Sequence, residues 1–396
     1  MVTTDIVQGR SHVVSVVAIL VSIVGCNTLQ LEHTGRSSDD DWLTEGRESE
    51  RSHASPTTIA TPLELAWDYD ASAAFGPGSP LLKGAYVLVA TRKGEVHAIQ
   101  AEKGKKAGVK GFGESINGSP AITGSVLFVP VAWGRKTGIV AHSLSTGRRL
   151  WRYESTPVER GILATDNSIV FSDATSTVYA LSALGEVTWT RKLDDRASLK
   201  GTPVLVGRDI VAVADDKGMV FGIDLASGTI VWSQNLDAPV YASMSSHSGV
   251  LYVPTTRASL YSLDARTGRI VWSYRGADKR VKFATPAASE SGIVFGGSDG
   301  VLQSLSVRDG TVQWTWQASG AITAAPAISG ERVFVGTMAG TAHGFDLASG
   351  TEVWSAKVKG RIKSAPAVGP GGVYFLSEPR HVYRFSPSQL EVARNE

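Results

Sequence analysis

An all-β ring of eight four-stranded blades is the architecture that the sequence predicts, and three observations predict it. The first is a repeat. A glycine turn followed by a tryptophan recurs as residues 223–232 (IDLASGTIVW), 263–272 (LDARTGRIVW) and 345–354 (FDLASGTEVW), with looser copies ending at Trp151, Trp189 and Trp314. With Trp67 and Phe112 the aromatic markers number eight, at successive gaps of 45, 39, 38, 43, 40, 42 and 40 residues. A period of about 40 residues suits four short strands and their turns. The second is composition: of 396 residues 42 are Gly, 42% are hydrophobic and only 19% are charged. A disordered chain needs the opposite balance, so this one is folded and rich in turns. The third is a mismatch at the ends. Residues 63–69 (LELAWDY) form a Trp strand ahead of any unit that could own it, while the last unit stops without one.

Taken in chain order, the first element is a leader. Residues 13–25 (VVSVVAILVSIVG) are uncharged and apolar. Thirteen residues at 1.5 Å each fall short of a hydrocarbon core of ~30 Å but suit the apolar region of a signal peptide. The run ends in Ile23-Val24-Gly25-Cys26, which resembles a bacterial lipobox, so residues 1–25 read as a lipoprotein signal peptide and Cys26 as the lipidated residue. Cys26 is the only cysteine, which excludes an internal disulfide and a cysteine-based zinc site. Residues 26–60 mix Asp, Glu, Arg, Ser and Thr without a sustained apolar period and are expected to be a flexible tether, leaving 61–396 for the ring.

Each unit of the ring has the same plan. An inner segment opens on a small residue and proline (Ser79-Pro80, Ser119-Pro120, Thr202-Pro203, Thr285-Pro286, Ala325-Pro326, Ala365-Pro366) and leads into a β-branched run such as 333–336 (VFVG). A glycine turn, a third strand and the Trp strand complete it. One such sheet cannot bury both faces, so the units stack, and closing them in a ring leaves only short edges. The strand at 63–69 is then the outer strand of the eighth blade, clasping the N-terminal side of the ring onto its C-terminal side.

These residues are similar to the eight-bladed propellers of the pyrroloquinoline-quinone (PQQ) repeat family, over residues 61–386. Lipobox, short tether and a bare ring resemble, within it, the BamB family of outer-membrane lipoproteins. That resemblance implies a non-enzymatic scaffold for inserting β-barrel proteins, a monomer within a complex, docked through loops of one face on the POTRA domains of the barrel-assembly component. A family docking loop, Leu-Ser-Leu-Arg-Gly, matches Ala197-Ser198-Leu199-Lys200-Gly201, which implies partner contacts for Leu199 and Lys200. The chain departs from the pattern at Ala197, and residues 239–245 (PVYASMS) lack the two aspartates that the family places there.

The chemical alternatives have less support in the residues. PQQ-dependent dehydrogenases share the repeat, and their chemistry needs the quinone on the ring axis with a Ca²⁺ held by oxygen ligands. The inner segments read Ala121-Ile122, Val204-Leu205, Ala287-Ala288, Ala327-Ile328 and Ala367-Val368, without a carboxylate, so neither PQQ nor calcium is expected. His97, His142 and His343 align with Tyr179, Tyr261 and Tyr383 in separate blades and are expected to be packed rather than metal-binding. The net charge of +2 offers no field for nucleic acid. One local excess stands out: the links following Trp189, Trp272 and Trp354 carry twelve Lys and Arg, among them Lys200, Arg280, Lys282, Lys359, Arg361 and Lys363, against three Asp. They either guard exposed edge strands or form a docking face for an acidic envelope partner. A propeller that senses or binds some other envelope ligand is the alternative scaffold.

Overall fold

The structure is a computed structural model describing residues 28–32, 38, 40–193, 196–236, 238–369 and 371–388. Among these residues the chain is strand and turn throughout, with no helix. Eight antiparallel sheets follow one another along the chain, each ordered from an inner to an outer strand. Blade 1 consists of the strands Leu81–Lys83, Tyr86–Ala90, Glu95–Gln100 and Lys106–Gly111. The inner strands of blades 2 to 8 are Ala121–Thr123, Leu163–Ala164, Val204–Val206, Ser245–His247, Ala287–Ser289, Ala327–Ser329 and Ala367–Gly369. Second strands such as Gly292–Gly296 are buried along their whole length, because a blade is covered on both faces by its neighbours. The ring closes as the sequence predicts: Leu63–Asp70 pairs antiparallel with His381–Pro387, putting the first Trp strand on the outside of blade 8.

Every outer strand carries a register shift near its start, where two residues oppose one on the third strand. This bulge re-aims the following side chain. It turns every marker Trp but Trp354 onto the glycine turn of the next blade and leaves Leu65 exposed. The indole N–H groups of Trp67, Trp151, Trp189, Trp232, Trp272 and Trp314 donate at 2.8–3.1 Å to the carbonyls of Ala101, Ala183, Leu225, Ala265, Val307 and Leu347. Trp354 donates instead to Leu63 across the closure, at 2.8 Å. The turn must be glycine. Gly228 has φ +70°, and a Cβ there would lie 2.6 Å from Trp189. Gly228→Ala is expected to destabilise the ring by about 2–4 kcal/mol, left-handed strain plus overpacking, measurable as a lower urea midpoint.

Blade 1 departs from the expected pattern. The register places Gly108, not Phe112, where the other blades have Trp. Phe112 lies beyond the outer strand and packs edge-on against His142 at 5.3 Å. The vacant indole position is filled from the N-terminal segment: the Thr28 carbonyl lies against Gly108, and Leu29 is completely buried. The Leu31 N–H donates at 2.7 Å to Leu144, the carbonyl that an indole would otherwise reach. His142 is displaced as well. Val140 holds the place aligned with Tyr179, because blade 2 has a longer second turn, and His142 Nε2 bonds the Leu29 carbonyl at 2.8 Å. His97 and His343 do hold the expected place and are buried there.

The largest correction concerns the tether. Residues 40–60 do not hang from the ring but fill its axis. The inner strands are edge strands whose unpaired N–H groups point at the channel, and such groups need acceptors. Residues 42–53 supply them. The N–H groups of Leu82, Ile122, Leu205, Ser246, Ala288 and Ile328 donate to the carbonyls of Trp42, Leu43, Ser49, Glu50, Ser52 and His53 at 2.8–2.9 Å. Ala54–Ser55 then runs parallel to Ile328–Ser329. Backbone carbonyls make these bonds, so a polar composition does not prevent them. The signal-peptide expectation for residues 1–25 and the lipidation of Cys26 lie outside the described residues.

Candidate functional site on the ring axis and its loop face

The ring has two faces. The links between blades, with the turns joining second to third strands, form the loop face. The turns joining first to second and third to fourth strands form the opposite turn face. The N-terminal segment enters from the turn face, where the Asp41 carboxylate bonds Lys83 Nζ and the Gly84 N–H, both at 2.9 Å. It reaches its deepest point at Glu45-Gly46. Gly46 has φ +83°, and a Cβ there would meet Arg51 at 2.7 Å, so only glycine lets the chain double back.

Arg51 holds this loop. Its guanidinium is fully buried and donates to the carbonyls of Pro203 (3.0 Å), Glu45 (2.8 Å) and Ile162 (3.0 Å), and to Glu45 Oε2 at 3.3 Å. Burial lowers its pKa, opposed by the Glu45 and Glu48 charges. Glu45 Oε2 also accepts from Ser119 Oγ at 3.1 Å and Thr202 Oγ1 at 3.5 Å, so one ion pair ties the plug to blades 2, 3 and 4. Burial raises the pKa of Glu48, although Ser52 and Arg47 bond its carboxylate. His53 is buried beside Arg51, and burial, reinforced by the Arg51 charge, lowers its pKa to about 3. Neither ring nitrogen has a hydrogen-bond partner among the described residues.

Above the plug, on the loop face, lies a polar funnel of about 190 Å³. Glu45, Ser119 and Thr202 line its floor, and Arg160, Lys200, Tyr241 and Lys363 stand on its walls. Its carboxylate floor comes from the segment expected to be a tether. Trp42-Leu43, an apolar pair in a polar stretch, was the only signal that this segment packs.

The basic residues expected to contact a partner do gather on this face. Lys200 lies 4.0 Å from Asp216. Arg361 and Lys363 converge on Glu378. Lys282 and Lys359 are exposed. Arg280 is exposed and bonds Asp278 at 2.8 Å, which lowers that carboxyl to about 2. Leu199 is a correction. It is 7% exposed, forms an isolated bridge with Asp215, and packs between blades 3 and 4, so most of its side chain is spent on the core rather than on the face. No His, Asp or Glu cluster suited to a metal occurs among the described residues.

Comparison with known proteins fits this architecture. The chain is 26% identical over 197 residues to the outer membrane protein assembly factor BamB of Legionella pneumophila (strain Paris), covering 47% of this chain and 50% of that protein. It spans half or less of the length of the curated relatives it matches. The solved structure of BamB from Moraxella catarrhalis aligns with TM-score 0.67 at 17% identity, over 82% of this chain and all of that one. A quinohemoprotein alcohol dehydrogenase from Comamonas testosteroni aligns with TM-score 0.71 at 13% identity, over 88% of this chain and 80% of that one, so the ring alone does not separate scaffold from enzyme. Overlapping matches at residues 64–175, 135–237, 174–321 and 298–393 place nearly the whole ring on one family model, and the chain belongs to the family described as outer membrane protein assembly factor BamB.

Proposed function

We propose that this protein is a non-enzymatic scaffold in outer-membrane protein assembly, lipid-anchored in the cell envelope through Cys26 and docking through its loop face. The observation that carries the reading is the plugged axis. A tricyclic quinone needs open space on the axis, and a Ca²⁺ needs free oxygen ligands. Residues 42–53 occupy that space, and the Glu45 carboxylate is engaged by Arg51, Ser119 and Thr202. The residues present do not fit PQQ and calcium. What remains accessible is the basic rim around the funnel, suited to an acidic surface of a barrel-assembly component.

Affinity purification from detergent-solubilised envelopes tests this reading. Recovery of a barrel-assembly component supports it, and repeated recovery without one contradicts the partner assignment. The combined variant Lys359→Glu, Arg361→Glu and Lys363→Glu is expected to weaken that association by about tenfold or more, since rim charges govern encounter. Its melting temperature should stay near that of the parent. Unchanged association would assign these residues to edge protection.

A further inference from the structure

We propose that the turn face at blades 1 and 2 is a docking surface for anionic lipid headgroups, seating the ring directly on the membrane with the loop face turned away. For its geometry this rests on the lipid-anchor reading of Cys26. The expected tether would have held the ring roughly 30–35 Å from the bilayer. The chain is already fixed at residues 28–31. The Gln30 amide donates to Ser145 at 3.0 Å, its Cβ position lies against Gly147, and Leu31 bonds Leu144, all in the third-to-fourth turn of blade 2. Two peptide units separate Cys26 from Thr28, a reach of at most about 7–8 Å. An acyl chain on Cys26 therefore holds this corner of the ring at the bilayer surface.

That corner has the composition of a membrane contact. The turn of blade 1 presents Lys103, Lys105 and Lys106, and the turn of blade 2 presents Arg148 and Arg149, all exposed. None of the five forms an ion pair among the described residues. The acids at this corner are Glu32, which follows Leu31, Glu102 and, in the next blade's turn, Glu186. Two large apolar side chains stand beside the cations: Leu150 is 52% exposed and Leu184 is 74% exposed. Leu184 follows Ala183, whose carbonyl receives the Trp151 indole, so it adjoins the blade 2 strand that bears Leu150. The equivalent turns of blades 4 and 7 both read Leu-Ala-Ser-Gly-Thr, without a cation, the blade 5 turn carries Arg266 and Arg269 and the blade 6 turn Arg308, so blades 1 and 2 hold five of the eight cations in these turns. A basic patch beside a lipid anchor adds an electrostatic contact with anionic headgroups to the attachment. Each Lys or Arg near an anionic surface adds about fivefold to binding.

The test is flotation of the chain from residue 26 onward, the mature form on the lipid-anchor reading, carrying Cys26→Ser to remove acylation, with vesicles of phosphatidylcholine alone or mixed with phosphatidylglycerol. Reversal of Lys103, Lys105, Lys106, Arg148 and Arg149 to Glu is expected to lower binding to the anionic vesicles by about 100-fold or more, with binding to phosphatidylcholine unchanged. Lys359→Glu with Arg361→Glu, on the loop face, should leave both unchanged. Equal binding of the five-fold variant and its parent to anionic vesicles overturns the proposal, as does binding that ignores lipid charge. Acylation is read separately, by palmitate labelling of the Cys26 parent, so failure of the anchor and failure of the patch are distinct results.

Discussion

Arg51→Ala is expected to destabilise the ring by about 3–5 kcal/mol, the range for breaking a buried ion pair by removing one partner. The variant strips the carbonyls of Glu45 and Pro203 of their donor, leaves Ile162 only Thr44 Oγ1 at 3.4 Å, and leaves the Glu45 carboxylate without its cation. Blades 2, 3 and 4 meet the plug through this pair, so the loss is shared among them. Urea denaturation followed by tryptophan fluorescence measures it. Arg308→Ala, at an exposed turn, should change stability by no more than about 0.5 kcal/mol. If residues 40–60 were a solvated tether, the two variants would behave alike.

Acid is expected to act on the same plug. A histidine titrates near 6.5 when unfolded, whereas His53 in the ring is lowered to about 3, first by burial and then by the Arg51 charge. Between these values the unfolded chain binds a proton that the folded chain does not. Stability is therefore full above about pH 6.5 and falls as pH drops, by roughly 1.4 kcal/mol per pH unit, until the folded form also protonates near pH 3. The contribution of His53 across this window is on the order of 4 kcal/mol. His97, His142 and His247 are lowered by burial too and add to the same trend. His53→Leu should flatten the dependence of the urea midpoint on pH in this window. An unchanged slope would place His53 in water.

Much of the ring was legible because its rules are local. The glycine turn, the bulge and the tryptophan lie within ten residues of one another, so a repeat reads directly as a blade, and Leu63–Asp70 could be assigned to blade 8 by counting strands. The misreadings share a different cause. Phe112 stands nearest the expected marker position because blade 1 has no tryptophan, and the segment that replaces it, residues 28–31, lies about 80 residues away and contributes a backbone N–H. The plug was unreadable for the same reason: it is held by backbone carbonyls, which every residue possesses, and by Arg51, which resembles any charged tether residue. The basic loop face was visible as a charge excess. The burial of Leu199 was not, because it depends on how the link after blade 3 folds against Asp215.

Residues 42–55 seal the axis, and native-state hydrogen exchange read by mass spectrometry tests this most directly. Amides of Leu82, Ile122, Leu205, Ser246, Ala288 and Ile328 have their acceptors in this segment. Peptides covering 42–55 and the inner strands should exchange slowly and together, with the protection of the ring itself. Arg51→Ala should release both sets at once. Rapid exchange of 42–55 over protected blades would contradict the account and return the segment to the role of a tether.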